Sequence, residues 1–489
     1  MKRPNIMWFS LEDVSPRLGC YGDPIARTLN LDRVAAEGCR YERAFAVAGV
    51  CAPSRSAIIT GMYPTFIGAH HMRTTHRNAA TPELPTPYEV CPPHYVKCFT
   101  EYLRAAGYYC CNNFKTDYQF TAPFTAWDDC SPQAHWRNWA RGRPFFAVFN
   151  CTRTHESGMW EEPPNRPHPI RAPSTDPNRV TVPPWLPNTP RVRTALARHY
   201  DNLAEADREF GERLRELKED GLLDETVIVI WSDHGEGLPR AKRWPYDSGI
   251  RVPLIVRWPR VIQSGSVSYR LVSLIDLAPT MLAIAGVPVP THLQGQSFLD
   301  GAEREYVFAT RDRYDESYDM VRAVRDRQFK YIRNYRCELP YQLWIPYSYR
   351  HLAMQEIWQK ALLGGAAERP VGLMQNQRPP EELYDLETDP HELVNGAGDA
   401  RYEEVLTGLR RVLDEWRSRY DQFGDVAETD MVRQWYPAGE QPQTAARIFV
   451  AVGPDCLTGE SSSGGEFRGP SFVQLHCATQ GASIGWSND

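Results

Sequence analysis

The run TVIVIW at residues 226–231 is the most strand-like stretch of the chain, and it leads directly into Ser232-Asp233-His234-Gly235. Six consecutive apolar or β-branched residues indicate a strand that is buried on both faces. A long amphipathic helix is predicted just before it, over residues 192–218, with apolar side chains along one face. A helix that leads into a fully buried strand is typical of an α/β fold with a mostly parallel sheet.

The same alternation of strands and helices extends over the first 300 residues. Further strands are predicted at residues 5–10, 108–113, 144–150 and 253–256, and further helices around residues 31–37 and 99–106. We therefore expect a large mixed, mostly parallel sheet sandwiched by helices. Such sheets bind ligands beyond the carboxyl ends of their strands. Polar residues follow three of the predicted strands at that edge, namely Glu12-Asp13, Thr152-Arg153-Thr154-His155 and Asp233-His234.

The pattern changes after about residue 300. Short strands are predicted at residues 306–308, 320–324 and 329–333, and a helix at residues 402–420, which together indicate a smaller α+β unit with an antiparallel sheet. We expect a catalytic domain over residues 1–300, a smaller C-terminal subdomain over residues 301–440, and a C-terminal extension over residues 441–489. Within that extension, the stretch GESSSGGEFRG at residues 459–469 is typical of a flexible loop.

Composition excludes several classes of protein. A chain of 489 residues with 42% hydrophobic and 24% charged residues is globular rather than disordered. A net charge of −6 gives no electrostatic reason to bind nucleic acid or an anionic membrane. Because no apolar run approaches the ~18 residues that span a bilayer, we expect no membrane partner. The chain as written is expected to be cytoplasmic, or periplasmic or secreted if a signal peptide has been removed.

The most informative motif is Cys51-Ala52-Pro53-Ser54-Arg55, followed by Thr60-Gly61. By itself, such a run could be a buried cysteine at a helix N-terminus beside a surface arginine. It resembles the signature of the type I sulfatases, the formylglycine-dependent family of the alkaline phosphatase superfamily. The resemblance implies that a separate maturation enzyme oxidises Cys51 to formylglycine. The hydrated aldehyde would then attack sulfur with one hydroxyl and release sulfate with the other.

The same resemblance, which covers about residues 3 to 420, implies a metal site. Glu12, Asp13, Asp233 and His234 occupy the positions where the family holds one divalent cation. Oxygen-rich ligands favour Ca²⁺, and Mg²⁺ or Mn²⁺ also suit this set. The family usually has two aspartates after the first strand, so Glu12 is a departure. Alone, a pair such as Glu12-Asp13 is more often a helix cap or a loop pair.

Three further residues match cationic positions of the family. Lys115 follows a predicted strand, His155 follows the strand at residues 144–150, and Lys242 precedes the family-like segment YDSGIRVP at residues 246–253. The family often has histidine two residues after this first lysine, where this chain has Asp117. The resemblance implies that Arg55, Lys115 and Lys242 neutralise the sulfate, and that His155 or Lys242 protonates the leaving atom. Any one of them alone is more often a solvated surface charge.

Substrate recognition is expected in loops around this centre. Candidate residues lie in two loops. One loop carries His71 and Arg73, together with His70. The other carries Arg313 and Asp315, together with Arg311 and Glu316. An exposed polar loop is the plain alternative for each of them. The segment VPPWLPNTP at residues 182–190 is similar to the heparan N-sulfatase, or sulfamidase, branch.

The function that this resemblance implies is hydrolysis of a sulfate ester or sulfamate on a sulfated sugar or aryl substrate. The nearest rival is a formylglycine-dependent phosphonate monoester or phosphodiester hydrolase of the same superfamily, with which Asp233-His234 is compatible. A non-catalytic carbohydrate-binding relative is the second rival, and we would expect it to lack the cysteine, the arginine or the metal residues. A homo-oligomer is possible, and the maturation enzyme is an expected partner.

Overall fold

The structure, a computed structural model, is built around one large sheet and one small sheet. It describes residues 3–77, 79–139, 142–161, 172–363, 377–440, 443–452, 472–480, 482 and 484–485. None of the helices in these ranges combines the length and the apolar character needed to cross a bilayer.

An eight-stranded sheet forms the centre of the first 300 residues. Its strands are β1 (Asn5–Leu11), β2 (Cys39–Phe45), β3 (Tyr109–Asn113), β4 (Asp129–Cys130), β5 (Phe145–Cys151), β6 (Thr226–Ser232), β7 (Arg251–Arg257) and β8 (Ser266–Ser273). They lie in the order β4-β3-β5-β1-β6-β7-β2-β8. Only β7 runs antiparallel to its neighbours β6 and β2. The predicted mixed, mostly parallel sheet is therefore confirmed.

Helices cover both faces of this sheet. The helices of the described chain are α1 (Leu29–Glu37), α2 (Cys51–Thr60), α3 (Pro64–Ile67), α4 (Phe99–Ala105), α5 (Pro190–Glu219), α6 (Asp247–Ile250), α7 (Leu277–Ile284), α8 (Leu352–Leu362), α9 (Glu403–Tyr420) and α10 (Glu428–Trp435). The side chains of α2, α4 and α7 pack on one face of the sheet, and those of α1, α5 and α8 pack on the other.

Strand β1 shows why the central strands read as continuous apolar runs. Ile6 and Trp8 belong to the core on one face, whereas Met7 and Phe9 belong to the core on the other. Successive side chains of a strand point to opposite faces, so both must be apolar when helices cover both. The long helix α5 begins where the Thr189 side chain accepts a hydrogen bond from the backbone of Val192 at 3.3 Å, which matches the predicted helix closely.

The second sheet contains β9 (Val307–Arg311), β10 (Val321–Arg325), β11 (Phe329–Asn334) and β12 (Glu381–Asp385), all antiparallel in the order β12-β11-β10-β9. Helix α9 packs on it through Leu409, Leu413 and Trp416. The predicted antiparallel α+β unit is confirmed. A two-stranded sheet of β13 (Ile448–Val452) and β14 (Phe472–His476) lies further along, and the predicted loop at residues 459–469 falls outside the described residues.

Candidate active site

The candidate site lies at the carboxyl edge of the large sheet. Neighbouring parallel strands β3, β5, β1 and β6 end at this edge, and each delivers a polar residue to it. Glu12-Asp13 follow β1, Asp233-His234 follow β6, Lys115 follows β3 and His155 follows β5. Cys51 reaches the same place as the first residue of α2. The structure thus brings together the predicted residues of the reaction centre, Lys242 included.

The sulfur of Cys51 lies inside a ring of charged groups. Its Sγ is 3.3 Å from His234 Nε2, and it donates a hydrogen bond to Glu12 Oε1 at 3.6 Å. Cys51 is only 3% exposed. Burial raises the pKa of the Cys51 thiol, although Lys115 and Lys242 act in the opposite direction. A buried thiol in such surroundings is protonated and a poor nucleophile near neutral pH.

A cluster of carboxylates and one imidazole lies beside the sulfur. His234 Nε2 is 3.1 Å from Asp13 Oδ1 and 3.8 Å from Asp233 Oδ1, and all three side chains are fully buried. Burial disfavours the charged imidazole, yet Asp233 and Asp13 together raise the pKa of His234 to about 10. Burial would raise the pKa of Asp13, but Lys242 and two neighbouring histidines hold that pKa well below its ordinary range. The charges of Asp13 and His234 therefore stabilise each other in the folded protein.

This cluster fits a divalent cation. Within the described residues, Asp13 Oδ1 is buried and accepts no well-formed hydrogen bond, so one carboxylate oxygen remains available for a cation. Ligand atoms of Asp13, Cys51 and His234 lie within 4.8 Å of one another, as do those of Glu12, Cys51 and Asp233. Carboxylate oxygens with one imidazole suit a hard ion such as Ca²⁺, Mg²⁺ or Mn²⁺.

Cationic side chains surround the other side of the cluster. Arg55 donates to Asp233 Oδ2 and to Asn150 Oδ1, at 2.9 Å in each case. Lys115 forms an ion pair with Glu12. Burial disfavours the charge of Arg55, but Asp233 raises the pKa of its guanidinium above the ordinary range, so the group stays charged. An anion that enters this region meets several fixed positive charges that already have counterions in the protein.

Lys242 and His155 lie beside the carboxylates of the cluster. Lys242 Nζ lies 2.7 Å from Asp13 Oδ2 and 3.2 Å from Glu156 Oε1. His155 Nδ1 is 2.8 Å from the hydroxyl of Ser157, and the His155 side chain caps a short 3₁₀ helix at Glu156–Met159. Burial, followed by the charge of Lys242, lowers the pKa of His155.

Three residues of the site were not predicted. Glu156 is 2% exposed and accepts two hydrogen bonds from Arg243, at 2.9 and 3.1 Å, besides its ion pair with Lys242. Asn150 connects Arg55 with the end of β5. Glu156 and Arg243 directly follow the predicted His155 and Lys242, so adjacency to a candidate was the available signal.

The four predicted substrate-binding residues separate into two pairs. Arg73 donates from Nε to Asp315 Oδ1 at 2.8 Å, and Asp315 Oδ2 lies 3.3 Å from Arg243 Nε, so this pair is connected to the site. Arg313 is 1% exposed, and its donors are directed at Glu428 and at backbone carbonyls. His71 is 5% exposed, and burial lowers its pKa to about 4. Contact of His71 or Arg313 with a substrate stays a prediction, and their burial indicates a packing role.

The chain matches the family models of a known class of hydrolases. The family model "Sulfatase" matches residues 4–131 and 132–287, and the model "N-sulphoglucosamine sulphohydrolase, C-terminal" matches residues 235–345. The chain belongs to the sulfatase family, near its sulfamidase-like branch. It is a hydrolase of sulfate esters or sulfamates, in a family that is generally metal-dependent.

Individual relatives agree with this family. The chain is 39% identical over 520 aligned positions to an ulvan-active sulfatase of Formosa agariphila, covering 99% of the chain and 84% of that relative. It is 27% identical to human N-sulphoglucosamine sulphohydrolase, covering 84% of the chain and 89% of the human protein.

Two solved structures share the fold at lower identity. One, determined in complex with its substrate D-glucosamine-2-N,6-O-disulfate, superposes with a TM-score of 0.61 at 20% identity, covering 87% of this chain and 100% of the other. The phosphonate monoester hydrolase of Agrobacterium radiobacter superposes with a TM-score of 0.64 at 17% identity, covering 86% and 96%. Because these scores are nearly equal, the fold alone does not separate sulfate from phosphonate chemistry.

Proposed function

We propose that the chain removes sulfate from a sulfated sugar, with residue 51 as the nucleophile after its conversion to formylglycine. The observation that carries this proposal is the position of Cys51 Sγ, 3.3 Å from His234 Nε2 and 3.6 Å from Glu12 Oε1 within the charged cluster. An unmodified thiol there is protonated and weak as a nucleophile, whereas a hydrated aldehyde carries two hydroxyl groups. Conversion requires a formylglycine-generating enzyme as a partner.

Glu12, Asp13, Asp233 and His234 are the residues that would hold one divalent cation, for which Ca²⁺ is our first choice and Mg²⁺ or Mn²⁺ the alternatives. A bound cation would polarise the sulfate oxygens and lower the pKa of a nearby hydroxyl. Glu12 carries a longer side chain than the usual aspartate, and its carboxylate still reaches both Lys115 and Cys51.

The cationic residues have two roles in this proposal. Arg55 and Lys115 orient the sulfate and balance the charge that grows as the bond to the leaving atom breaks. His155 or Lys242 donates the proton to the leaving oxygen or nitrogen, because both carry protons beside the carboxylates of the cluster. A general acid matters most for a basic leaving group. Loss of the acid should therefore slow sugar sulfates much more than 4-nitrophenyl sulfate, whose leaving phenolate needs little protonation.

The proposed substrate is a sulfated saccharide, since two relatives that match most of the chain are named for ulvan and for N-sulphoglucosamine. The small sheet contributes Asp315 to the rim of the site from the loop after β9. We propose that residues 301–440 act as the smaller unit that shapes substrate access to a catalytic domain over residues 1–300.

The decisive experiment combines a mass measurement with a substrate panel. The protein is produced with and without a formylglycine-generating enzyme, and the tryptic peptide of residues 44–55 is weighed. Conversion of Cys51 lowers its mass by about 18 Da. Sulfate release is then measured from ulvan oligosaccharides, glucosamine N-sulfate and 4-nitrophenyl sulfate, with a phenyl phosphonate monoester as the rival substrate.

We expect turnover of a sugar sulfate only in the converted preparation. A large preference for the phosphonate would refute the proposal in favour of the rival hydrolase. Equal turnover by preparations with and without the mass change would refute the nucleophile, while leaving the sulfatase activity standing. His155→Ala and Lys242→Ala are compared on sugar and nitrophenyl substrates, and the larger sugar-specific loss identifies the acid.

A further inference from the structure

A series of ion pairs of alternating charge, which we call the ion-pair series, connects the site to the protein surface. Asp13 pairs with Lys242, Lys242 with Glu156, Glu156 with Arg243, Arg243 with Asp315, and Asp315 with Arg73. Consecutive partners lie between 2.7 and 3.3 Å apart. The ion-pair series begins with the carboxylate of Asp13 in the metal cluster and ends with the guanidinium of Arg73 at the rim of the site.

Arg73, at the outer end of the ion-pair series, is the only one of its six members with substantial exposure to solvent. The Arg73 side chain is 36% exposed, whereas the other five side chains are between 0% and 7% exposed. Arg73 donates from Nε to Asp315, and its guanidinium lies 5.7 Å from the centre of the Tyr347 ring. Across the described residues, its two Nη groups have no hydrogen-bond or ion-pair partner. One edge of the guanidinium is therefore fixed, and the donors of the other edge are free.

The position of Arg73 places this free edge beside the reaction centre. The preceding residue, Met72, packs in the same buried cluster as Cys51. The ring of Tyr347, which contacts Arg73, is 6.0 Å from the ring of His155. Arg73 and Asp315 both adopt left-handed backbone conformations, with φ of 57° and 52°. Such conformations are costly outside glycine and persist where the surrounding structure requires them.

We propose that the Nη edge of Arg73 binds a second anionic group of the substrate, a carboxylate or a further sulfate next to the sulfate that is hydrolysed. This inference rests on the proposed function and names the substrate class of the same site. A guanidinium held through Nε presents parallel donors that match a carboxylate or a sulfate. Each internal member of this series of ion pairs has a counterion on both sides, whereas Arg73, its cationic end, pairs with Asp315 alone among the described residues.

Asp117, a second acidic side chain near Arg73, does not neutralise the free edge of the guanidinium. Asp117 contributes to the charge environment of Arg73, but its carboxylate forms its ion pair with Lys115, at 3.6 Å. An incoming anion would be repelled by Asp117 and attracted by Arg73, which favours one orientation of the sugar. The contact should therefore influence both affinity and the choice of the sulfate that is removed.

The test compares substrates that differ by one anion. Glucosamine N-sulfate and glucosamine 2-N,6-O-disulfate form the sulfate pair, and kcat and KM are measured for Arg73→Ala and Arg73→Lys. Glucuronic acid and glucose form the carboxylate pair. They are tested as competitive inhibitors, and their inhibition constants are measured for wild type and for the variants. Arg27→Ala is the matched control, because Arg27 is a partly exposed arginine paired with Asp201 at 2.9 Å, away from the candidate site.

We expect the wild-type protein to bind the member with the additional anionic group more tightly than its partner in at least one of the two pairs. Arg73→Ala should raise KM for the disulfate, or the inhibition constant of glucuronic acid, about 10- to 100-fold, because a charge-assisted contact is lost, and kcat for the disulfate should be largely kept. Arg73→Ala should change KM for the singly charged glucosamine N-sulfate by less than about threefold. Arg73→Lys should recover part of the loss that Arg73→Ala causes. Arg27→Ala should change KM for neither substrate.

Equal losses for both members of a pair would overturn the proposal and assign Arg73 a purely structural role. Absence of any wild-type preference for a second anion would overturn it as well, and this result does not depend on whether a variant folds. Failure of wild type to hydrolyse any sulfate in the panel would instead contradict the proposed function itself, so the two failures are distinguishable.

Discussion

Replacing Arg313 by methionine should destabilise the protein rather than remove a substrate contact. Arg313 donates from Nε and Nη2 to Glu428 at 2.7 and 2.6 Å, and from Nη1 to the carbonyls of Met72 and Asp315 at 2.9 and 2.6 Å. Glu428 is 3% exposed. The variant leaves a buried carboxylate with only the hydroxyl donors of Tyr88 and Tyr318.

The size of this effect follows from two independent considerations. Breaking a buried ion pair by removing one partner costs about 3–5 kcal/mol of the free energy of unfolding. Burial opposes ionisation of Glu428, but His71, Arg313 and Tyr318 outweigh it and lower the pKa from 4.5 to about 2. A shift of this size corresponds to roughly 3 kcal/mol at ~1.4 kcal/mol per unit.

The sign of the pH dependence follows from the lowered pKa. A carboxylate that is more acidic in the folded state adds stability above its unfolded pKa, and this contribution is lost as the pH falls from 4.5 to about 2. Since Arg313 is charged throughout this window, the parent protein should lose stability over it. Arg313→Met should lose less there, because its carboxylate is already poorly stabilised at neutral pH.

Urea denaturation followed by tryptophan fluorescence measures the effect. We expect Arg313→Met to unfold at a clearly lower urea concentration at pH 7. The double variant Arg313→Met/Glu428→Gln should recover about 2 kcal/mol or more, because the buried charge is gone while an acceptor for a tyrosine remains. An unchanged midpoint for Arg313→Met, or a double variant no more stable than the single one, would refute the reasoning.

Three further predictions concern the nucleophile, the cation and the small sheet. Cys51→Ala should change the free energy of unfolding, measured by urea denaturation, by less than about 1 kcal/mol but reduce sulfate release at least ~10³-fold, and residual turnover close to the parent would contradict the assignment. Exhaustive chelation should abolish turnover, and re-addition of Ca²⁺, Mg²⁺ or Mn²⁺ singly should restore it; an unaffected rate excludes the metal site. Trp416→Ala should lower the free energy of unfolding by about 3–5 kcal/mol, because the Trp416 ring stacks on Phe308 and contacts Tyr63, each with ring centres 5.0 Å apart. Urea denaturation measures this change, and a midpoint equal to that of the parent would contradict this packing.

The convergence of the reaction centre could be predicted from the sequence. Glu12-Asp13, Lys115, His155 and Asp233-His234 each follow an apolar run, and parallel strands bring such positions to one edge of a sheet. Lys242 lies in the long segment between β6 and β7, so it was identified only through the resemblance. Glu156 and Arg243 resemble ordinary surface charges in the sequence, because their importance depends on partners far along the chain.

The elements that escaped prediction lack a simple periodic pattern. Helix α2 has the sequence CAPSRSAIIT and is buried on all sides, so it shows no amphipathic spacing. Strand β2 carries Arg40, Glu42 and Arg43, and its register shifts near Tyr41, which disturbs the alternation expected of a strand. His71 and Arg313 were predicted to bind substrate, with an exposed polar loop as the alternative. Both are buried instead, and Glu428 pairs with Arg313 from α10, a partner far along the chain that the sequence does not indicate.

The reversed direction of β7 has a consequence for the motion of the site. Because β7 runs antiparallel to β6, the segment 233–250 leaves and re-enters the sheet between two paired strands. Residues 233–246 are buried throughout, and a Cβ at Gly235 or Gly249 would collide with the backbone of the same segment. Its amide hydrogens should therefore exchange with deuterium nearly as slowly as those of the central strands. The segment with His234 and Lys242 should therefore act as a rigid wall of the reaction centre during turnover.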